Sequence, residues 1–238
     1  PLVVVGDCLR DVDVHGAVER LCPDAPAPVL AAGRRRERPG GAGLTALLAA
    51  RSTGRPVRLV TLLGDDADEV RALLDGVDVV AVTTAGTTPR KTRMLADDRV
   101  LLRVDEGGLA PVALGHGSPA LEAIDVAGVV LVSDYGRGLT ADPAVRAALA
   151  AAAARVPVVW DPHPHGSPPV PGVTVVTPNL SEARGYVSGI PGHSREFRSH
   201  GFPHEPAALG ETLREHWAVD AVAVTAGSSG AVLRGATG

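Results

Sequence analysis

Short runs of consecutive apolar residues, mostly Val and Leu, recur along the chain, each bounded by Gly, Asp or Pro. Runs of this kind predict strands that are buried on both faces of a sheet. The predicted strands are Leu2 to Val5, Val57 to Leu63, Val77 to Val82, Gly128 to Val132, Val156 to Trp160, Val173 to Thr177 and Ala221 to Thr225.

Stretches rich in Ala, Leu, Glu and Arg lie between these runs and have the composition of helices. The predicted helices are Ala42 to Ser52, Ala67 to Leu74, Ser118 to Ile124, Pro143 to Ala154 and Pro206 to Trp217. Because strands and helices alternate, the sequence predicts an α/β fold, a doubly wound and mostly parallel sheet with helices on both faces. Ligands of such a sheet bind beyond the C-terminal ends of its strands.

Two stretches interrupt this alternation. Residues Val12 to Arg36 contain three prolines, and Lys91 to Val104 alternates polar and apolar residues as a half-exposed strand does. Together they predict a small β lid formed by segments of about 12–36 and 91–104, within a single domain over residues 1–238. The aperiodic stretch from Ser188 to Glu205 predicts a loop or an insertion.

Composition excludes several classes of protein. The 238 residues carry a net charge of −4, so no overall positive charge favours nucleic acid or an anionic membrane as a partner. No apolar run is long enough to span a bilayer, and the two cysteines are too few for a disulfide framework. We therefore expect a cytoplasmic protein. A P-loop is excluded because Lys91, the single lysine, does not follow a glycine.

The first strand is followed by polar residues and, later, by a glycine pair. Asp7 and Asp11 come at its end, where carboxylates accept hydrogen bonds from sugar hydroxyls or merely cap a turn. Gly40 and Gly41 precede a predicted helix. Such a pair lets the backbone approach a ligand at a helix N-terminus, or forms an ordinary turn.

Two further candidate sites follow later strands. Asn179 and Glu182 open a helix after the strand ending at Thr177. They suit contacts to Mg²⁺ through water and to phosphate, or they cap the helix. The loop from Thr225 to Gly230 is either a nucleotide loop or a hairpin turn.

One pair of histidines in the Asp161-Pro162-His163-Pro164-His165 stretch invites a metal-site interpretation. His163 and His165 are flanked by prolines, and no third ligand lies nearby in the sequence. We therefore predict an ordinary loop there rather than a metal site.

Several motifs, in this order, resemble one family of sugar kinases. They are Gly6-Asp7-Cys8-Leu9-Arg10-Asp11, the Pro-rich block Arg20 to Val29, Arg38-Pro39-Gly40-Gly41-Ala42, Lys91-Thr92-Arg93, Leu102-Arg103-Val104-Asp105, Val132 to Gly138, Asp161-Pro162 and Thr177 to Glu182. Together they resemble the ribokinase-like (PfkB) carbohydrate kinases, and most of all the bacterial D-glycero-β-D-manno-heptose 7-phosphate kinases.

The resemblance implies ATP as phosphoryl donor, Mg²⁺ as cofactor, a heptose 7-phosphate as acceptor, and a homodimer formed through the β lid. It implies substrate-binding roles for Asp7, Asp11, Gly40, Gly41, Lys91, Arg93, Arg103 and Asp134. It implies nucleotide-binding roles for Asn179, Leu180, Ser181, Glu182, Thr225, Gly227 and Gly230, with Glu182 binding Mg²⁺ through water.

The chain departs from the family pattern in two ways. Leu44 stands where the family has an Asn that reaches the sugar. The family's catalytic base lies in a Gly-Ala-Gly-Asp motif that we expect beyond residue 238, so no base is assigned within the chain. The sequence thus leaves two functions open, a sugar-phosphate kinase and a non-catalytic sugar-phosphate or nucleotide binding protein of the same fold.

Overall fold

The computed structural model describes residues 1–191 and 205–235. The greater part of the aperiodic stretch from Ser188 to Glu205 lies outside these residues. Each of the predicted strands is present in the main sheet, although only two residues of the strand predicted over Val173 to Thr177 are extended. The sheet also contains one strand that was not predicted. The strands are β1 (Leu2–Gly6), β4 (Val57–Leu63), β5 (Val77–Thr83), β8 (Val129–Ser133), β9 (Val158–Asp161), β10 (Val175–Val176), β11 (Ala221–Thr225) and β12 (Ala231–Gly235).

The order across the main sheet is β12-β11-β10-β9-β8-β1-β4-β5. All neighbouring pairs are parallel except β11 and β12, which form an antiparallel hairpin. The strand β12 was not predicted, because its five residues are mixed in polarity and only partly buried. The C-terminal ends of β1, β8, β9 and β10 meet at one edge of the sheet, which is where a ligand site is expected.

Helices cover the sheet and separate its two apolar faces. They are α1 (Ala42–Thr53), α2 (Ala67–Ala72), α3 (Pro119–Asp125), α4 (Pro143–Ala153), α5 (Leu180–Gly189) and α6 (Glu205–Trp217). Val3 and Val5 pack in one core cluster with residues of α3 and α4, whereas Val4 packs in a second cluster with residues of α1 and α2. This alternation along β1 confirms a doubly wound sheet with helices on both faces.

A second sheet, here called the lid sheet, is larger than the sequence predicted. Its strands are β2 (Cys8–Leu21), β3 (Pro28–Gly41), β6 (Gly86–Ala96) and β7 (Arg99–Leu109), in the order β3-β2-β6-β7. The predicted segments of about 12–36 and 91–104 cover most of these strands and the turns that join them, but miss the end of the sheet next to the main body, residues 8–11, 37–41, 86–90 and 105–109. The missed residues read as loop because Gly and Pro interrupt their alternation.

Arg10 joins the lid sheet to the main body. Its guanidinium lies 2.6 Å from Glu37 Oε1, 2.6 Å from Asp66 Oδ2 and 2.8 Å from Glu69 Oε2. Asp66 also accepts a hydrogen bond from the backbone N–H of Thr88 at 2.8 Å. Because three lid strands meet α2 through this network, the root of the lid sheet is held in one position. None of the helices among the described residues is both long and apolar enough to cross a membrane.

Candidate active site

Asp7 directly follows β1, and its two carboxylate oxygens differ in their hydrogen bonding. Its Oδ2 accepts hydrogen bonds from the backbone N–H groups of Tyr135 at 3.1 Å and Arg137 at 2.9 Å. Its Oδ1 is buried and has no partner among the described residues. Burial raises the pKa of Asp7, and the charge of Asp134 adds to this effect, against the backbone donors. A buried acceptor without a partner is energetically costly, which marks Asp7 as a candidate site residue.

The glycine pair lies against the Asp11 carboxylate and the Asp7 backbone. A Cβ placed on Gly40 would lie 2.5 Å from Asp11 Oδ2, and one placed on Gly41 would lie 2.4 Å from the carbonyl oxygen of Asp7. Gly41 has a φ of 58°, and the next residue, Ala42, donates its N–H to that same carbonyl at 3.0 Å. A side chain at Gly41 would meet fixed backbone, and one at Gly40 would displace the Asp11 carboxylate, so the backbone itself forms this wall at the start of α1.

Charged residues of the lid sheet face the same site. Asp11 is paired in register with Lys91, and Asp13 with Arg93, so that these four side chains share one face. Arg93 Nη1 lies 3.2 Å from Asp11 Oδ1 and 3.6 Å from Asp13 Oδ1, and Arg38 forms a second ion pair with Asp13. Partial burial opposes ionisation, but Arg38 and Arg93 hold the pKa of Asp13 below its usual value.

The three basic residues predicted to bind a phosphate have different surroundings. Lys91 Nζ lies 5.4 Å from the ring centroid of Tyr135, next to the Asp7 loop. Arg93 is bound to the two lid carboxylates. Arg103 is half-exposed and lies 2.9 Å from Asp105 Oδ1 in its own strand. Lys91 therefore lies nearest the end of β1, whereas Arg103 lies farthest out on the lid sheet.

Asp134 is fully engaged within its own loop. Its Oδ1 accepts the backbone N–H of Gly136 at 2.8 Å, and its Oδ2 accepts the hydroxyl of Thr140 at 2.8 Å. The side chain is 2% exposed. This arrangement favours a role in shaping the loop that also carries Tyr135 and Arg137, rather than direct contact with a substrate.

A cavity of about 460 Å³ opens beside the Asp7 loop, at the C-terminal ends of β8, β9 and β10. Thr45 of α1 and Ser133 of β8 lie 3.1 Å apart, hydroxyl to hydroxyl, on one side. Asp161, at the end of β9, lies on the other side with Thr177, and Thr177 donates its hydroxyl to Asp161 Oδ1 at 3.3 Å. The lining is completed by Leu131, Val132, Val159, Asn179, Glu182 and Thr225.

Asn179 and Glu182 form a capping box at the start of α5. Asn179 Oδ1 accepts the backbone N–H of Glu182 at 3.0 Å, and Glu182 Oε2 accepts the backbone N–H of Asn179 at 2.8 Å. Both residues also line the cavity. Each carboxylate or amide oxygen has a second lone pair. The cap therefore holds the two side chains in place and leaves acceptors that suit Mg²⁺ through its waters.

The other predicted nucleotide-binding residues have different surroundings. Leu180 packs against the core and Ser181 is exposed in the first turn of α5. Thr225 lines the cavity and bridges to Asn179. Gly227 and Gly230 lie in the turn between β11 and β12, and a Cβ on either would meet nothing within 4 Å. Among the described residues, the stretch from Thr225 to Gly230 thus forms a hairpin turn whose first residue lines the cavity.

Direct metal coordination by protein alone has little support. No group of three or more His, Cys, Asp or Glu side chains able to hold a metal occurs in the described part of the chain. A magnesium ion carried on phosphates with most of its waters needs only one or two carboxylates, which Glu182 and its surroundings supply.

The sequence did not single out Thr45, Asp161, Thr177 or Asp13 as site residues. Thr177 ends a predicted strand and Asp161 directly follows one, so the expectation of ligand sites at strand ends would have found both. Asp13 would have followed from alternation, since residues two apart in a strand share a face with Asp11. Thr45 directly follows Leu44, and its position in the cavity depends on how α1 meets β8, which no local pattern indicates.

The carboxyl of Asp161 titrates near neutrality. Desolvation in the cleft raises its pKa to about 6, and the charges of Glu182 and Asp134 act in the same direction, against the hydrogen bond from Thr177. The ordinary value is 3.8. Folding therefore favours the protonated form, and ionising Asp161 in the folded protein lowers stability as the pH rises from that value to about 6.

We expect Asp161→Asn to raise the melting temperature above pH 6 and to leave it unchanged below pH 4, because only the ionised carboxylate is destabilising. Thermal unfolding followed by circular dichroism from pH 4 to pH 8 measures this difference. The exposed Asp75 provides the control, and Asp75→Asn is expected to show no such dependence. A difference between Asp161→Asn and the unmutated protein that stays constant with pH contradicts the assigned titration.

Comparisons with known protein families and sequences identify the family of this chain. Residues 1–238 match the family described as pfkB family carbohydrate kinase. Bifunctional protein HldE of Streptomyces coelicolor is 46% identical over 236 residues, which cover 98% of this chain and 48% of that protein. Bifunctional protein HldE of Azorhizobium caulinodans is 38% identical over 203 residues, covering 78% of this chain and 42% of that protein. The chain thus spans about half the length of the curated relatives it matches.

Solved structures share the fold at low sequence identity. Ribokinase of Arabidopsis thaliana complexed with ribose and ATP superposes with a TM-score of 0.65 at 23% identity, covering 100% of this chain and 75% of that one. Phosphofructokinase-2 of Escherichia coli in complex with fructose-6-phosphate superposes with a TM-score of 0.65 at 15% identity, covering 100% and 77%.

Proposed function

We propose, since the chain belongs to the pfkB family of carbohydrate kinases, that it phosphorylates a sugar phosphate with ATP, and that the acceptor is a heptose 7-phosphate. Membership confirms the family resemblance seen in the motifs. The observation that carries the proposal is the meeting of two different half-sites at one edge of the main sheet. One is formed by Asp7, Asp11 and the glycine pair, and the other is the cavity bounded by Asn179 and Glu182.

The first half-site suits a sugar. Asp7 Oδ1 is a buried acceptor that has no partner in the described part of the chain, and the Gly40 backbone lies directly against Asp11. Carboxylates that accept hydrogen bonds from hydroxyls fix the orientation of a polyol more strongly than neutral acceptors do. We assign Asp7 and Asp11 to the sugar hydroxyls, with Gly40 and Gly41 forming the wall that lets the sugar approach.

The charged face of the lid sheet suits the phosphate of the sugar. Lys91 lies over Tyr135, next to the Asp7 loop, and Arg93 lies one register pair farther along the same face. Arg93 lies 3.2 Å from Asp11 Oδ1 and 3.6 Å from Asp13 Oδ1, next to the residues assigned to the sugar hydroxyls. We assign the phosphate to Lys91 and Arg93, with Arg103 contributing from the outer strand. Heptose 7-phosphate as the acceptor follows from the resemblance of these motifs to the heptose kinases.

The second half-site suits the nucleotide phosphates. Asn179 and Glu182 are held by their mutual cap with oxygens lining the cavity, and Thr225 adjoins Asn179. We assign Asn179, Glu182 and Thr225 to Mg²⁺-ATP, with Glu182 binding the ion through water and Leu180, Ser181, Gly227 and Gly230 on the nucleotide rim. Magnesium, when bound, neutralises charge on the transferred phosphoryl group.

In the reaction, the bond between the γ-phosphorus and the bridging oxygen of ATP breaks, and a bond to a sugar hydroxyl oxygen forms. The hydroxyl proton passes to a general base, for which the family resemblance implies the Asp of a Gly-Ala-Gly-Asp motif. ADP and the doubly phosphorylated sugar are the products. The side chains assigned above hold and orient the two substrates, which is most of what phosphoryl transfer requires of a protein.

The lid sheet also supports the homodimer that we propose. Val100, Leu101 and Leu102 of β7 are 56%, 45% and 57% exposed. Leu102 is paired in register with Met94, on the face opposite the one that carries Lys91 and Arg93. Exposed apolar residues grouped on one strand are typical of a surface covered by a partner, here a second copy of the chain. Analytical ultracentrifugation tests this assignment through the molecular mass in solution.

Glu182 provides the sharpest test of the nucleotide half-site, because one substitution can remove the negative charge of its side chain and keep its hydrogen bond in the helix cap. We expect Glu182→Gln to keep the melting temperature within about 2 °C, since an amide oxygen also accepts the hydrogen bond from Asn179. The affinity for ATP in the presence of Mg²⁺ should fall by about tenfold or more, because the carboxylate charge next to the ion is lost. Isothermal titration calorimetry with Mg²⁺-ATP and with ATP plus a chelator measures the affinity with and without the ion, and thermal unfolding measures the melting temperature.

Glu182→Ala is the companion variant and should lose the cap as well. It is expected to lower stability by about 1 kcal/mol in addition to weakening Mg²⁺-ATP. If Glu182→Gln binds Mg²⁺-ATP as tightly as the unmutated protein does, Glu182 is a helix cap alone and the metal role is wrong.

A further inference from the structure

Three side chains follow one another in a row that begins on the lid sheet. Lys91 Nζ lies 5.4 Å from the ring centroid of Tyr135, and the Tyr135 ring stacks on His163 with a centroid distance of 6.1 Å and an interplanar angle of 30°. These residues come from the lid sheet, the loop after β8 and the loop after β9, respectively. His163 is one of the two histidines that the sequence placed in an ordinary loop.

His163 is fixed by its surroundings rather than mobile at the tip of its loop. Its Nδ1 accepts the backbone N–H of His165 at 3.2 Å. Gly136 packs so closely that a Cβ there would lie 3.0 Å from His163 Nδ1 and 2.9 Å from the carbonyl oxygen of His165. The Gly136 loop is in turn held by Asp7, which accepts the N–H of Tyr135. His163 and the sugar half-site are thereby linked by direct contacts.

This arrangement defines which nitrogen of His163 carries a proton. Because Nδ1 accepts a hydrogen bond, the neutral ring bears its proton on Nε2. Desolvation by partial burial lowers the pKa of His163, with Lys91 and His165 acting in the same direction and the charges of Asp134 and Glu182 opposing. At neutral pH the side chain is therefore an uncharged donor that uses Nε2–H.

On one side, His163 stacks on Tyr135, whose ring adjoins Lys91 of the group assigned to the sugar phosphate. Asp161, two residues earlier, lines the cavity. In a kinase, the group that passes between two such half-sites is the γ-phosphoryl group, whose charge is spread over its equatorial oxygens during transfer.

We propose that His163 donates its Nε2–H to an oxygen of the phosphoryl group during transfer, and so is a catalytic residue of the reaction. This inference rests on the proposed kinase function and adds a residue to it. His163 exchanges no proton in this role. A neutral donor fixed before the reaction stabilises the transferring group without itself being reorganised, and one such donor contributes about 10²-fold to the rate.

The test compares two substitutions at His163 with a matched one nearby in full-length protein. His163→Phe keeps an aromatic ring against Tyr135 and removes the donor, whereas His163→Gln replaces the ring by an amide donor. The control is His165→Phe, because the His165 side chain is exposed and its backbone N–H, which bonds His163, is retained. Melting temperatures establish that each variant is folded before kinetics are compared.

We expect kcat of His163→Phe to fall by about 100-fold while KM for ATP and for the sugar phosphate changes by less than about threefold. His163→Gln should recover part of the rate, and His165→Phe should remain close to the unmutated protein. A second readout needs no turnover. Calorimetry with ADP, Mg²⁺, aluminium fluoride and the sugar phosphate should show the same loss of affinity in His163→Phe, since that mixture imitates the transferring group.

The possible results separate this inference from the function on which it rests. An unmutated protein that turns over no sugar phosphate contradicts the proposed kinase function, and the role of His163 with it. If the unmutated protein is active and His163→Phe keeps its kcat, the role of His163 is wrong while the kinase function stands. The same conclusion follows if His165→Phe loses as much activity as His163→Phe. If His163→Phe does not fold, the ¹⁵N chemical shift of His163 Nε2 is measured in the unmutated protein before and after the aluminium fluoride mixture is added. A changed shift supports the hydrogen bond, and an unchanged shift overturns the proposal.

Discussion

Asp7→Asn should bind the sugar phosphate about 100-fold more weakly than the unmutated protein and yet melt at a higher temperature. The loss of binding follows because a charged acceptor is worth about 1.5 to 3 kcal/mol to a bound hydroxyl. The gain in stability follows because burial raises the pKa of Asp7, so that folding disfavours its ionised form. Removing the charge removes that cost.

The size of this stability gain depends on pH. The pKa of Asp7 is higher in the folded protein than its value of 3.8 in the unfolded chain. Below pH 3.8 the carboxyl is protonated in both states and does not lower stability. As the pH rises from 3.8 through the pKa of the folded state, the carboxyl becomes destabilising. The advantage of Asp7→Asn should therefore appear at neutral pH and vanish near pH 3. Melting curves at both pH values, together with calorimetric titration of the sugar phosphate, measure the two effects.

Exposed Asp75 again serves as the control, and Asp75→Asn should change neither property. An Asp7→Asn variant that keeps the affinity for sugar phosphate would contradict the assignment of Oδ1 to a ligand hydroxyl. A variant that melts lower at neutral pH than the unmutated protein would contradict the assigned direction of the pKa.

The second large effect concerns the wall of the sugar half-site. Gly41→Ala should lower the free energy of unfolding by about 3 kcal/mol or more, because two independent penalties combine. The φ of 58° disfavours any residue with a Cβ, and that Cβ would lie 2.4 Å from the backbone carbonyl oxygen of Asp7. Relief requires moving the end of β1 away from the start of α1.

Gly54 separates these two penalties. It has a similar φ of 63°, at the C-cap of α1, and a Cβ there would meet nothing within 4 Å. Gly54→Ala should therefore cost only the backbone strain, about 1 kcal/mol. Urea denaturation of the two variants gives the comparison, and equal losses would show that the contact with Asp7 is not as close as described.

The sequence predicted those elements whose own residues carry a clear pattern, and it missed those that depend on contacts with distant residues. The consecutive Val and Leu residues of β1 and β4 indicated buried strands directly, because both faces of those strands are covered by helices. The partly buried and mixed sequence of β12 carried no such signal. Its pairing with β11 depends on the hairpin turn at Gly227 to Ser229, whose sequence fits a loop equally well.

The candidate site shows the same division. Asn179 and Glu182 were predicted with two alternative roles; the structure confirms the helix cap and places both side chains on the cavity lining, which leaves the role toward Mg²⁺ and phosphate a proposal. The partners of Arg93 were not predictable, because Asp11 and Asp13 lie some 80 residues earlier in the chain. His163 was assigned to a loop because nothing in its local sequence indicates the stacked ring of Tyr135.

The central claim is that the two half-sites serve phosphoryl transfer from ATP to a phosphorylated sugar. Its most direct test is ADP release by full-length protein supplied with Mg²⁺-ATP and either heptose 7-phosphate or free heptose, with ³¹P NMR to identify the product. The proposed function predicts ADP release that depends on the sugar phosphate, a doubly phosphorylated sugar as product, and a much slower reaction with free heptose. Tight binding of both ligands without any sugar-dependent ADP release would contradict it and would favour a non-catalytic binding protein of the same fold.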